Sequence, residues 1–182
     1  VDGGAGFGNP AHTYRSIREF INSGAAGVHI EDQVYPKRLH YFQGIKRIIG
    51  VEEMVEKIQA ADQARREADD GLVLIARTDA ARGQRREEHG ESIEDAVTRL
   101  NEYLAAGADV GMAFPTDEDE LEYAVDNVEG PFMGLIAENR NPRPTTDTLA
   151  KMGCDIIIYG LTPTFISAQK IRETYTNLLE NG

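Results

Sequence analysis

One joint recurs along this chain and limits what it can fold into: an amphipathic stretch, then a glycine, then a short apolar run. It appears as Ser23-Gly24-Ala25-Ala26-Gly27-Val28, as Ala106-Gly107-Ala108-Asp109-Val110 and as Met152-Gly153-Cys154-Asp155-Ile156. Each leading glycine stands just past the end of an amphipathic stretch, where a helix terminus favours a left-handed residue. The pattern predicts helices over 10–23, 51–68, 91–106, 117–127, 145–152 and 163–179, with strands over 28–31, 72–77, 110–114, 132–137 and 155–159. Leu72-Val73-Leu74-Ile75-Ala76 and Ile156-Ile157-Ile158-Tyr159 are apolar at consecutive positions, as expected of parallel strands covered on both faces.

Strict alternation of strand and helix leaves an open doubly wound sheet or a closed (β/α)₈ barrel. The glycine-rich start, Asp2-Gly3-Gly4-Ala5-Gly6-Phe7-Gly8, does not follow the GxGxxG spacing of a dinucleotide loop. The barrel is favoured because the unusual polar residues fall where strands end, on the face where barrels carry their chemistry. These are Asp2, Glu31 with Asp32, Arg77 with Asp79, Thr116, and Glu138 with Asn139. The expectation is a single α/β barrel domain of the TIM type over residues 1–182. Five predicted strands and a clipped one ending at Asp2 fall short of the eight that close such a barrel, so the first strands are expected to be missing. A first residue of Val agrees with that reading.

Composition narrows the partners. With 41% hydrophobic and 27% charged residues, the 182-residue chain can bury a core, and its net charge of −12 argues against a nucleic-acid surface. The acidic runs at Glu52, Glu53 and Glu56 and over 117–122 read as solvated helix faces. No run reaches the roughly 18 apolar residues of a membrane span, and no basic-apolar leader opens the chain, so no membrane partner and a cytoplasmic location are expected. The single cysteine, Cys154, has no partner spacing for zinc and lies in a turn entering the last strand, away from the strand ends that carry the polar residues. Its expected role is packing.

Two groups of residues carry candidate chemistry. Asp2 and Glu31 are predicted to face one mouth, where a pair of carboxylates suits a hard cation, Mg²⁺ or alternatively Mn²⁺; two solvated loop acids are the other reading. Arg77, ending a buried strand, offers a planar fork for a substrate carboxylate, with Asp79 placed to hold it; a purely structural Arg77–Asp79 pair is the alternative. His29 reads equally as a substrate contact or as a core histidine satisfied by a neighbouring hydroxyl or backbone group.

In order, Asp2-Gly3-Gly4-Ala5-Gly6-Phe7-Gly8, Gly27-Val28-His29-Ile30-Glu31-Asp32-Gln33, Pro36-Lys37-Arg38 and Ala76-Arg77-Thr78-Asp79-Ala80 resemble the signatures of the isocitrate lyase and phosphoenolpyruvate mutase superfamily, covering its third strand through the helix after its eighth. The resemblance implies that Asp2 and Glu31 hold magnesium, that Arg77, His29 and Glu138 contact a small carboxylic acid, and that Lys37 and Arg38 act from a mobile loop. It also implies a homo-oligomer. Residues 35–50, with Pro36, Gly44 and Gly50, are expected to form that lid.

The departures bear on the reaction. Lyases of this group follow the basic pair with Cys-Gly-His, whose cysteine gives a proton to the departing enolate, whereas here Leu39-His40-Tyr41 follows. Gly4 stands where the family generally has a second acid, Thr116 where lyases often have Glu, and Glu138 where they have Asn. His40, with an unperturbed pKa of about 6.5, is the favoured replacement donor. The expected activity is magnesium-dependent C–C cleavage of a 2-hydroxy or 2-oxo acid through an enolate, with isocitrate and 2-methylisocitrate poor substrates. C–P bond chemistry and a non-catalytic ligand-binding barrel are the alternatives. Arg77→Ala is expected to remove activity with the fold intact.

Overall fold

A computed structural model describes residues 1–37, 48–68, 71–81, 92–136 and 144–182. Its elements alternate as the sequence predicts: α1 (Pro10–Asn22), β1 (Gly27–Glu31), α2 (Val51–Glu67), β2 (Val73–Arg77), α3 (Ile93–Ala105), β3 (Val110–Met112), α4 (Glu118–Asn127), β4 (Phe132–Ile136), α5 (Thr146–Lys151), β5 (Ile156–Tyr159) and α6 (Thr162–Asn181). Local chemistry sets the helix ends. Asn9, Ser92, Asp117 and Thr145 each accept a hydrogen bond from a backbone N–H in the first turn of the helix they precede. At the other ends Gly24, Gly107 and Gly153 have φ of 78°, 120° and 99°, the left-handed region expected after a helix terminus.

All five strands are parallel and lie in chain order, β1-β2-β3-β4-β5, forming an open arc of barrel type. Asp2 extends the arc beyond β1 through a parallel bridge to His29. Parallel pairing brings every strand's C-terminal end to one side. In register, Glu31 pairs with Arg77 and Arg77 with Met112.

Side chains alternate across the sheet and so divide the core. One face packs Val28, Ile30, Leu74, Ala76, Phe132 and Ile136 against the helices. Ile75, Val110, Met112, Phe114 and Met133 form a second, smaller cluster, joined by Leu135 and Ile158. His29, Glu31 and Arg77 share the parity of this second face, so the charged residues continue an apolar layer.

Ile157 and Ile158 of β5 pack against the two core clusters from opposite faces, while Ile156 is 37% and Tyr159 50% exposed. Among the described residues β5 pairs with β4, and α6, which follows it, buries none of its residues. Among the described residues, no helix is long and apolar enough to cross a membrane.

The loop after Asp2 depends on one glycine. Gly6 has φ 75°, and a Cβ there would overlap the Thr13 hydroxyl, which donates to the Gly6 carbonyl. Gly6→Ala is therefore expected to cost about 1–3 kcal/mol of stability, read by denaturant unfolding. A change below a few tenths of a kcal/mol would show that the loop relaxes freely.

Candidate active site

The C-terminal ends of β1 and β2, with the short segment around Asp2, bring five predicted residues together. Lys37 Nζ lies 2.9 Å from Glu31 Oε1 and 3.6 Å from Asp2 Oδ2. On the other side of Glu31, Arg77 Nη1 stands 2.9 Å from Oε2. His29 Nε2 is 3.8 Å from Asp2 Oδ1. The Glu31 side chain is fully buried and that of Asp2 is 58% exposed, so the cluster runs from the interior to an open mouth.

Arg77 is held on three sides. Its Nε donates to Asp79 Oδ1 at 2.9 Å and its Nη2 to Asp79 Oδ2 at 3.2 Å, while the guanidinium lies over the Phe114 ring, 4.6 Å from the centroid. The Arg77–Asp79 pair of the structural reading therefore exists, and the bond to Glu31 is added to it. A guanidinium has more N–H groups than these contacts use, which leaves donors for a planar anion.

Burial pushes the Glu31 carboxyl up from its ordinary pKa, against the opposing pull of Arg77 and Lys37. For Asp2 burial acts upward too, but the Gly4 N–H, which donates to Oδ1 at 2.8 Å, and the charges of His29, Lys37 and Arg77 leave it lowered. Burial lowers His29, which favours the neutral ring. Lys37 and Arg77 meet the two Glu31 oxygens as ion pairs, one on each oxygen. His29 Nδ1 has no hydrogen-bond partner among the described residues.

Not every predicted residue joins the cluster. Thr116 is exposed and serves helix α4: its backbone N–H and its hydroxyl both donate to Glu120 Oε2, at 2.7 and 2.8 Å. It lines a cavity of about 400 Å³ between α4 and α5, together with Phe114, Leu121, Thr145 and Leu149, and no charged member of the cluster lines that cavity. Arg38, His40 and Glu138 lie outside the described residues, as do most of the expected lid and Asn139. The base of the lid is described: Gln33 and Ile48 form an antiparallel bridge, and Ile49 N donates to Asp32 O at 2.8 Å. Cys154 is buried beside Leu149 and Gly134, on the helix-facing side of the sheet, in the packing role expected.

The profile of the family described as phosphoenolpyruvate phosphomutase matches residues 1–179. The chain belongs to this family. It is 38% identical to the 2-methylisocitrate lyase of Aeropyrum pernix over 187 residues, an alignment covering the whole chain and 56% of that protein. It is 34% identical to the chloroplastic carboxyvinyl-carboxyphosphonate phosphorylmutase of Arabidopsis thaliana, covering all of the chain and 52% of that protein. Oxaloacetate acetylhydrolase in complex with the inhibitor 3,3-difluorooxalacetate superposes with a TM-score of 0.86 at 31% identity, over the whole chain and 59% of that one. The chain thus spans about half the length of the curated relatives it matches.

Within this phosphomutase-family fold, the groups that sequence reasoning left without roles lie behind the cluster. Gln33 Nε2 donates to Asp79 Oδ2, and Asp32 accepts from Thr78, Asp79 and Tyr103. Tyr103 extends the buried stripe Ile93, Ala96, Val97 and Leu100 of α3, which reads simply as core; its hydroxyl is the one polar feature that could have drawn attention. Lys57, in the buried stripe of α2, donates to the Ala5 carbonyl at 3.3 Å beneath the loop that follows Asp2.

Among the described residues, no group of three or more His, Cys, Asp or Glu could hold a metal ion. Magnesium does not need one, because it commonly keeps several waters and takes one or two carboxylates. The position of Lys37 tests the fit: one cationic centre already lies within 3.6 Å of both Asp2 and Glu31. The carboxylate oxygens of Asp2 and Glu31 are acceptors of the kind a hard cation uses. The pair fits a divalent cation.

Proposed function

We propose that this chain carries the metal-dependent active site of a lyase that cleaves a C–C bond in a small 2-hydroxy or 2-oxo acid. The observation that carries the reading is the meeting of Asp2, Glu31, Lys37 and Arg77 at adjacent strand ends, two carboxylates and two cations at one mouth. The likeness to 2-methylisocitrate lyase and to oxaloacetate acetylhydrolase supports it. A non-catalytic scaffold would have no physical need to bury Glu31 and Arg77 where their desolvation is expensive.

In this reading Asp2 and Glu31 hold the cation, Mg²⁺ or Mn²⁺, which when bound would supply a positive centre that polarises a substrate oxygen. Arg77 binds and orients the substrate carboxylate, with Asp79 and Phe114 fixing the plane of its fork. His29, lowered toward its neutral form, contacts the substrate from the Asp2 side. Lys37 moves with the lid and exchanges its Glu31 contact for the substrate; Arg38 and His40 act from the same segment, with His40 delivering the proton that Leu39 cannot. Glu138 is assigned to the substrate by the same reading.

The likeness to carboxyvinyl-carboxyphosphonate phosphorylmutase favours a second reading, in which the same metal and arginine serve C–P chemistry. Titration calorimetry with oxalate and pyruvate, with and without magnesium, tests the metal-dependent site that both readings share. Binding that appears only with the metal is expected. Binding indifferent to magnesium, or none at all, would contradict both.

A further inference from the structure

We propose that Asp32, which no ligand can touch, is the positioning residue for Arg77, acting through the backbone and carboxylate of Asp79. The proposal rests on the reading of Arg77 as the substrate-carboxylate residue and extends it one shell outward.

Asp32 is fully buried, directly after β1, and its main chain already joins three segments. Its N–H donates to Arg77 O at 3.2 Å, and its carbonyl accepts from Ile49 at the entry to α2. The side chain then fastens the turn after β2: Oδ1 accepts from the Asp79 N–H at 2.9 Å, and Oδ2 from the Thr78 hydroxyl at 2.6 Å. A third donor, the Tyr103 hydroxyl, reaches Oδ2 at 3.1 Å from α3, with Arg99 Nη1 3.7 Å away. Burying a carboxylate is costly, and here two of its three donors are consecutive residues of a single turn. That turn matters because Asp79 forks with Arg77 through both carboxylate oxygens.

The long Arg77 side chain has several torsions, so its head is located by what it binds. Asp79 is the anion that meets its Nε edge; Asp32 holds the Asp79 backbone, while Gln33 donates to the Asp79 carboxylate. Loss of the Asp32 charge frees the Thr78–Asp79 turn, and a misplacement near 1 Å at an orienting group is enough to cost on the order of 10²-fold in rate.

The experiment compares Asp32→Asn, Arg77→Lys and the double variant in the full-length protein, reading the Kd of oxalate in magnesium and the kcat/KM of the substrate. Thermal unfolding confirms that each is folded. Asp32→Asn is expected to weaken oxalate binding and to lower kcat/KM on the order of 10- to 100-fold. The double variant should bind no more weakly than Arg77→Lys alone, within an additivity error of about twofold. Wild-type oxalate binding by folded Asp32→Asn, or losses that multiply in the double variant, would overturn the positioning role while leaving Arg77 in place. Arg77→Lys that binds oxalate as well as the wild type would sink the parent reading and this one with it. If Asp32→Asn does not fold, Thr78→Val and Tyr103→Phe each remove one donor to Asp32. They are expected to give smaller losses that vanish in the Arg77→Lys background, and unchanged oxalate binding in both would overturn the proposal.

Discussion

Arg77→Lys is expected to lower kcat/KM on the order of 10²- to 10³-fold in a protein that still folds, the loss typical when a preorganised charge-stabilising donor is removed. The lysine ammonium keeps a positive charge opposite Glu31 and Asp79 but is a point donor on a flexible stem. It cannot reproduce the two-pronged contact with Asp79, and it loses the planar stacking over Phe114. Arg77→Ala is a different experiment from the one the sequence suggested. Arg77 is a buried counter-charge of Glu31 and Asp79, so its removal leaves Glu31 with Lys37 and Asp79 with Gln33 as partners among the described residues and should cost about 3–5 kcal/mol of stability. Steady-state kinetics with denaturant unfolding separate the effects; near-normal turnover by Arg77→Lys would make Arg77 a packing residue.

Glu31→Gln is expected to shift magnesium activation to much higher concentration and to reduce turnover by more than about 100-fold at moderate metal, because charge stabilisation at the reacting centre is worth that much. The substitution preserves shape but replaces an acceptor-only group with one that presents N–H donors to Lys37 and Arg77, a repulsive arrangement in a fully buried place. Asp2→Asn should act in the same direction and more weakly, because Asp2 is largely exposed. A magnesium activation curve for Glu31→Gln that overlays the wild type would remove Glu31 from the metal site.

Much of this site was legible in the sequence because period-two alternation and strand-end position determine where a polar residue goes. His29 and Glu31 are two apart on β1, Arg77 ends β2 two residues after Ile75, and parallel pairing places Glu31 beside Arg77. The alternation of elements and the left-handed glycines followed from equally local chemistry. The support behind the cluster was not legible. Tyr103 and Lys57 sit in helical stripes whose spacing describes burial alone, and only the packing of α3 and α2 shows that their polar ends meet Asp32 and Ala5. Nor could local sequence show Lys37 bridging Asp2 and Glu31, since that contact depends on the path of the chain after β1. Thr116 shows the limit of strand-end position as a guide: its N–H and hydroxyl both turn to Glu120 in the first turn of α4.

The most direct measurement of the central claim is turnover of 2-methylisocitrate, 2,3-dimethylmalate, oxaloacetate and phosphonopyruvate by the full-length protein, with magnesium and after chelation, the products identified by NMR. The account predicts metal-dependent C–C cleavage of one of the 2-hydroxy or 2-oxo acids, releasing pyruvate, oxalate or a similar acid, with slow turnover of 2-methylisocitrate because Leu39 replaces a proton donor. Turnover that survives chelation, or activity confined to the C–P bond of phosphonopyruvate, would contradict it.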